Sequence, residues 1–235
     1  MNMQFSTEDA IQGDIAENIS NIKSTNKIRK NIYKVFKRII DILVGILGII
    51  ILIPLTIIIF IINVFQKDMG PVFYSHMRMG KGGKHFKLYK FRTMVVGADD
   101  ILSKYLAENE EARKEFKEFH KLDKDPRITK FGKFLRKSSL DEIPQFINVL
   151  KGDMSLIGPR PIVDDEVEKF GDKMKTVHSV KPGITGYWAA NGRSNTSYKE
   201  RVEMENYYAE NCSFLLDLKI FFQTIVQVLK KEGAK

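Results

Sequence analysis

The sequence predicts an α/β domain that is membrane-associated and monotopic, anchored by a re-entrant, Pro-kinked helix hairpin and carrying amphipathic interfacial helices. Three observations carry that prediction. From Ile42 to Gln66 the chain reads ILVGILGIIILIPLTIIIFIINVFQ, 25 residues without a charge, long enough to insert in a bilayer. Seven Lys and Arg residues lie between Lys23 and Arg38 and seven more between Lys67 and Arg92, so both flanks ask for the cytoplasmic side. Beyond the run, strand-like segments around a Gly-rich turn give way to stretches whose apolar residues recur at helical spacing.

The chain divides by composition into a polar arm over residues 1–30, a membrane anchor over 31–66 and a cytoplasmic catalytic domain over 67–235. The arm carries acids early (Glu8, Asp9, Asp14, Glu17) and bases later, the pattern of a mobile arm or a surface helix. The apolar run starts too late and is too long for a cleavable signal peptide, and no small-x-small site follows it. A straight span would put one basic cluster on the wrong side, whereas a hairpin satisfies both. Pro54 removes the N–H that would bond the Ile50 carbonyl and favours two arms of about 12 residues. Each arm of about 18 Å enters one leaflet without crossing the roughly 30 Å hydrocarbon core. Thr56 is the nearest hydroxyl, with Leu52 or Ile53 as its usual carbonyl partner. A Pro-kinked simple span is the alternative.

After the anchor, PVFYS and HFKLYKFRTM read as strands around Gly80-Lys81-Gly82-Gly83. GKGGK lacks the spacing and the following Ser or Thr of a phosphate loop. Residues 98–120 predict one solvated amphipathic helix. SFLLDLKIFFQTIVQVLKK predicts a strongly apolar helix with a basic end, suited either to core packing or to an anionic headgroup layer.

Composition then limits the chemistry. With 38 Lys and Arg against 29 Asp and Glu, the net charge of +9 favours anionic partners: lipid headgroups, phosphorylated small molecules or nucleic acid. The single cysteine, Cys212, excludes an intramolecular disulfide framework and any Cys-based zinc site, and points to a reducing compartment. Four His and no HExxH argue against a His-rich metal centre. No nucleic-acid motif and no interleaved aromatic platform is present, so nucleic acid is not the expected partner.

Charge and backbone signals coincide in DPRITKFGKFLRKSSLDEIPQFINVLKGDMSLIGPRP, residues 125–161. Ser139 with Glu142 resembles a capping box, while Pro144 moves the helix start to about Asp141. Either way Asp141 and Glu142 fall in a first turn, where the helix dipole favours ionised carboxylates and free N–H groups can meet phosphate. Such acids can merely cap a helix. Projecting about 100° apart, they can also divide labour, one as nucleophile and one as metal ligand. Arg127, Lys130, Lys133, Arg136, Lys137, Lys151 and Arg160 surround them, the three lysines at 130, 133 and 137 reading as solvated surface. Arg160 is stiffened between Pro159 and Pro161, and a rigid guanidinium can grip phosphate bidentately. Acids beside cations next to a membrane anchor suggest metal-assisted phosphoryl transfer at the bilayer surface.

With KRIIDILVG, GPVFYSHMRMGKGGKHFKLYKFRTM, SLDEIPQFINVLKGDMSLIGPRP, KPGITGYWAANGR and SFLLDLKI in that order, the chain resembles the bacterial sugar transferases, monotopic phosphoglycosyl transferases, from Tyr33 to near its C-terminus. The resemblance implies transfer of a sugar 1-phosphate from a nucleotide sugar, usually a UDP-sugar, to polyprenyl (undecaprenyl) phosphate. It also implies UMP release, Mg²⁺ as cofactor, a covalent sugar-phosphoryl aspartate and the first membrane step of exopolysaccharide, capsule or glycoconjugate synthesis. It implies a re-entrant anchor and an active site at the cytoplasmic face of the bacterial inner membrane. By the SLDE motif Asp141 corresponds to the nucleophile and Glu142 to the Mg²⁺ ligand, while Arg136 and Arg160 correspond to phosphate-binding arginines. Trp188, Asn191 and Arg193 are candidates for contact with donor or acceptor, or for structure. Longer members carry an N-terminal multi-span region, and this chain looks like the minimal catalytic form.

Three departures bear on the transfer. Ile53 precedes the hairpin Pro54 where many members have Ser. His76 stands where Gln is common before Arg78-Met79-Gly80, and Tyr187-Trp188-Ala189-Ala190 replaces the commoner Leu-Trp-Gln-Val. Two other readings stay open from the sequence: a membrane-associated glycosyltransferase that releases UDP, and a non-enzymatic lipid-binding scaffold. The sugar and the oligomeric state are not legible.

Overall fold

The structure, a computed structural model, describes residues 7–66, 70–119, 122–192 and 196–230. Helix α1 runs from Thr7 to Phe65. Its backbone stays helical through Pro54 and does not divide there into the two separate arms expected of a hairpin. Thr56 Oγ1 donates to the Leu52 carbonyl at 2.7 Å, one of the two partners anticipated for it. Residues 7–30 of the polar arm are the start of this helix. The stretch Ile28–Phe65 is long and apolar enough to cross a membrane, and most of its side chains are exposed.

Two compact units divide the chain, residues 1–40 and residues 41–235. Within the second unit one face of α1 is covered. Leu52 and Ile59 are buried with Phe91 and Leu135, and Ile49, Leu55, Leu140, Ile143 and Ile147 pack around them. Gly48 permits this approach, because a Cβ there would collide with the Phe146 ring. Asp41, at the head of the apolar run and 3% exposed, accepts from Ser155 Oγ and from the Leu156 N–H, both at 2.9 Å.

Strands β1 (Phe73–Met79) and β2 (His85–Phe91) form the expected hairpin, antiparallel with Tyr74 opposite Lys90 and Met79 opposite His85. The turn between them is the predicted Gly-rich one. Alternation along β2 puts Phe86, Leu88 and Lys90 on one face; Phe86 and Leu88 pack on Val149 and Met154. Residues 98–119 make two helices, α2 (Ala98–Glu108) and α3 (Glu110–Phe119), where one was expected. Asn109 is the reason: its backbone is extended, and its side-chain oxygen caps α3 by accepting from the Ala112 N–H at 3.0 Å.

Helix α4 (Lys130–Lys137) leads through a 3₁₀ turn at Leu140–Glu142 into α5 (Gln145–Lys151). Strand β3 (Ser155–Ile157) pairs in parallel with β4 (Gly183–Thr185), and the short helices α6 (Val167–Phe170) and α7 (Lys173–Val177) lie between them in sequence. Helices α8 (Tyr187–Asn191), α9 (Tyr198–Asn211) and α10 (Phe214–Lys230) complete the unit. Ile162, Phe170, Met174, Val177 and Val202 fill one core cluster, and Ile157, Ala190, Tyr208 and Ile220 another. Helix α10 divides its apolar residues: Ile220 is in the core, while Leu215, Phe222 and Val226 are exposed.

Candidate active site

Asp141 and Glu142 do not open an α-helix. They occupy the 3₁₀ turn, three residues before α5 begins, and the Ser139 side chain makes no capping hydrogen bond. Ser139 has φ 56°, the left-handed region, so the chain reverses sharply after α4 and the expected capping box cannot form. Pro144 keeps a helical backbone and immediately precedes α5.

The turn is held against β2. Asn148 of α5, fully buried, donates from Nδ2 to the Lys87 carbonyl at 2.7 Å, and its Oδ1 accepts from the Tyr89 N–H at 3.1 Å. This amide satisfies the open edge of the hairpin and places Lys90 beside the acid pair. Lys90 Nζ lies 2.8 Å from Glu142 Oε1 and 3.8 Å from Asp141 Oδ2. Asp141 is 8% exposed; burial raises its pKa, and Glu142 adds to the rise, against the pull of Lys90 and Arg136.

Arg136 reaches this pair from α4. Thr129 caps α4, its Oγ1 accepting from the Gly132 N–H at 2.8 Å, and the Thr129 N–H donates to the Thr93 carbonyl at 3.1 Å. Gly132 is required at this crossing, since a Cβ there would collide with the same carbonyl. Arg136 Nε then donates to Thr93 Oγ1 at 2.9 Å, with the guanidinium in the field of Asp141. Arg127 is otherwise employed: its fork binds Asp125 at 2.8 and 2.7 Å. Lys130, Lys133 and Lys137 are exposed, as solvated lysines should be.

Arg160 sits apart from Arg136 and lines a cleft that neither Arg136 nor Asp141 lines. The cleft, partly open to solvent, is lined by Glu142 and Lys90 on one side and by Arg78, Arg160, Trp188 and Glu205 on the other. Pro159 and Pro161 are buried while Arg160 is exposed between them, and its N–H donates to Glu205 Oε1 at 3.0 Å. Its guanidinium lies 5.8 Å from the Trp188 ring centre. Asn191 does not line the cleft: its Nδ2 donates to the Tyr187 carbonyl and its Oδ1 accepts from Gln223 of α10. Arg193 lies outside the described residues.

Lys90, Arg78, Glu205, Arg201 and Asp41 are site or support residues that the sequence reading did not single out. A signal existed for two of them. Lys90 continues the inward row of Phe86 and Leu88, and Asp41 is a charge at the edge of a long apolar run.

The arrangement joins a buried carboxylate, an acid facing a cleft, and an ammonium between them to a rigid arginine and an indole across the cleft. It can hold a phosphorylated ligand with an acid poised at one phosphate. The family model for bacterial sugar transferase matches residues 32–231. An undecaprenyl-phosphate galactose phosphotransferase from Salmonella typhimurium is 43% identical over 213 residues, 91% of this chain and 44% of that protein. A UDP-galactose-lipid carrier transferase from Erwinia amylovora is 43% identical over 215 residues, with 91% and 44% covered. The exopolysaccharide production protein ExoY of Sinorhizobium fredii is 41% identical over 198 residues, with 84% and 87% covered. The chain thus spans under half the length of the first two and most of the third. On the matched region and these identities, it belongs to the bacterial sugar transferase family.

Proposed function

We propose that this chain transfers a sugar 1-phosphate from a UDP-sugar to polyprenyl phosphate at the cytoplasmic face of the cell membrane, through a covalent intermediate on Asp141. The observation that carries the reading is the convergence of Asp141 and Glu142 on Lys90, with Glu142 and Lys90 lining a cleft that Arg160 also lines. The names of the Salmonella and Erwinia relatives, with their undecaprenyl phosphate, UDP-galactose and lipid carrier, support the substrate classes.

In the first displacement an Asp141 oxygen attacks the sugar-bearing phosphorus. The P–O bond to the nucleotide breaks and UMP departs with the electron pair. In the second, an oxygen of polyprenyl phosphate attacks the same phosphorus and frees the Asp141 carboxylate, leaving a lipid diphosphate sugar. Lys90 and Arg136 offset part of the cost that burial places on the Asp141 charge, and Arg160 neutralises phosphate oxygens. Splitting the transfer lets donor and acceptor use one site in turn.

The donor set fits Mg²⁺. Among the described residues no group of three His, Cys, Asp or Glu gathers to hold a metal. Mg²⁺ commonly takes one or two carboxylates, with substrate phosphates and water supplying the rest, and Glu142 faces the cleft where such phosphates would lie. Glu142 would hold the ion, which when bound neutralises diphosphate charge.

A monotopic, re-entrant seat for α1 is part of the reading. The covered face of α1 runs from Asp41 to Ile59, about 27 Å of helix, nearly the whole hydrocarbon thickness. A straight span would draw Ser155, Leu135 and Leu140 of the catalytic unit into lipid with it. Entry from one side accords with bases at both ends of the run.

The test is intact-protein mass spectrometry with a UDP-sugar panel and no lipid acceptor. A sugar-phosphate adduct with stoichiometric UMP, absent in Asp141→Asn and discharged by polyprenyl phosphate, is expected. UDP release without an adduct would favour a glycosyltransferase, and no turnover with any donor would favour a scaffold.

A further inference from the structure

Arg78 and Arg160, from distant parts of the chain, line the cleft with Glu142 and Lys90, and a third guanidinium, Arg201, lies against Trp188. Met79 N–H donates to the Ile162 carbonyl at 2.9 Å, which pins the end of β1 beside the segment following Pro161 and brings Arg78 next to Arg160. Arg201 of α9 stacks on Trp188 at 5.0 Å, the ring that also meets Arg160.

The available carboxylates do not match these cations evenly. Glu166 Oε1 accepts from Arg201 Nη1 at 2.7 Å and from the Tyr198 hydroxyl at 3.2 Å. Its Oε2 accepts from the Val163 N–H at 3.2 Å, leaving Arg78 Nη1 at 4.0 Å. Glu205 Oε1 accepts from the Arg160 N–H, and its Oε2 is buried without a hydrogen bond to any of the three guanidiniums. Arg78 Nε is buried with no hydrogen-bond partner, although Arg78 lines the cleft. Burial first, then the positive neighbours Arg160 and Arg201, pull the Arg78 pKa down to about 10 against the support of Glu166. Guanidiniums held side by side in a half-buried wall are at ease only with an anion between them.

We propose that Arg78 and Arg160 form a second phosphate seat, separate from Arg136 and the acid pair, which grips the nucleotide phosphate that leaves when Asp141 is loaded. This rests on the transferase reading above. Arg201 and Glu166 are positioning residues: their ion pair fixes the wall behind Trp188, and Glu205 fixes the Arg160 backbone. A donor diphosphate would then run from Asp141 across the cleft mouth, its reacting phosphate near Arg136 and Lys90 and its departing phosphate on the Arg78–Arg160 fork. Anchoring the departing phosphate stabilises the charge that develops there as the bridging bond breaks.

Isothermal titration of the detergent-purified full chain, in EDTA without divalent cations, tests the seat with inorganic pyrophosphate, UMP and uridine. Arg78→Gln should weaken pyrophosphate and UMP about tenfold or more, from loss of a charge-assisted fork, and leave uridine unchanged. In turnover assays the same change should raise KM for the UDP-sugar and leave KM for polyprenyl phosphate alone. Pyrophosphate binding as tight as wild type, or a defect confined to polyprenyl phosphate, overturns the seat. If Arg78→Gln does not fold, Arg78→Lys decides, since it keeps the charge towards Glu166 and loses the fork; undiminished pyrophosphate binding then overturns the proposal. A wild-type protein that binds pyrophosphate but neither UMP nor UDP-sugar would keep the seat and overturn the nucleotide-sugar reading instead.

Discussion

Lys90 Nζ lies 2.8 Å from Glu142 Oε1 and, at 3.8 Å, also faces Asp141, so a single ammonium from β2 is shared by two adjacent carboxylates. Without it the acids repel each other in a partly dry site. Lys90→Met should slow formation of the Asp141 adduct by about 100-fold, the usual scale for removing one preorganised electrostatic partner. Lys90→Arg should recover part of that rate. Rapid-quench measurement of adduct formation checks both, and a wild-type rate in Lys90→Met would remove Lys90 from the mechanism.

Asp141→Asn separates chemistry from architecture. Because burial disfavours the Asp141 charge, a neutral isostere relieves a cost at neutral pH. The melting temperature of the variant should be unchanged or raised by about 2 °C, while adduct and turnover vanish. A marked loss of stability would mean that the acid is there to hold the turn.

The acid pair, Arg160 and Trp188 were legible in the sequence because short motifs carry them. What the sequence concealed acts across long separations. Lys90 meets Glu142 over 52 positions, Glu205 meets Arg160 over 45, and Asp41 meets Leu156 over 115. No local period encodes such pairings; the hairpin register and the docking of α5 through Asn148 create them. The error at Ser139 has a different origin. The S-x-x-E spacing is that of a capping box, but the left-handed φ of Ser139 diverts the chain into a 3₁₀ turn. Continuity of α1 through Pro54 matches the Pro-kinked single helix that the sequence left as the alternative to two arms, and Leu52 and Ile59 pack on the same cluster on either side of Pro54.

Asp41 ties the anchor helix to β3. Asp41→Ala removes the acceptor for two donors, one of them the fully buried Ser155 hydroxyl, and should cost about 1–3 kcal/mol. Asp41→Asn keeps one acceptor oxygen and should lose less. Thermal unfolding in detergent measures both; equal stability of Asp41→Ala and wild type would show that the contact is replaceable.

Glu205 gives the fold a pH dependence of predictable sign. It is fully buried, and its pKa rises to about 7, burial outweighing its bond to Arg160 and the nearby Arg201 and Arg160 charges, with Glu166 adding to the rise. A carboxyl whose folded pKa lies above its unfolded value of about 4.5 binds its proton more tightly when folded. Its contribution is therefore favourable in acid and declines as pH rises from about 4.5 to about 7. Glu205→Gln removes this titration, so the difference in melting temperature, variant minus wild type, should grow across that interval. A constant difference from pH 5 to 8 would show that Glu205 is ionised throughout.

The seat of α1 decides the topology, and it can be read from outside the cell. In a Cys212→Ser background, single cysteines replacing Lys30 and Lys84 flank the apolar run, one in each basic cluster. Entry and return on one side would shield both from an impermeant thiol reagent in intact cells, and both should react after permeabilisation. A simple span exposes one of them. Pro54→Ala restores the N–H able to bond the Ile50 carbonyl and lowers the tendency to bend, so it should favour spanning and raise labelling of one probe. Labelling of either position in the unaltered anchor would falsify the re-entrant reading, and it would require the catalytic unit packed along Asp41 to Ile59 to leave α1 before the helix could cross.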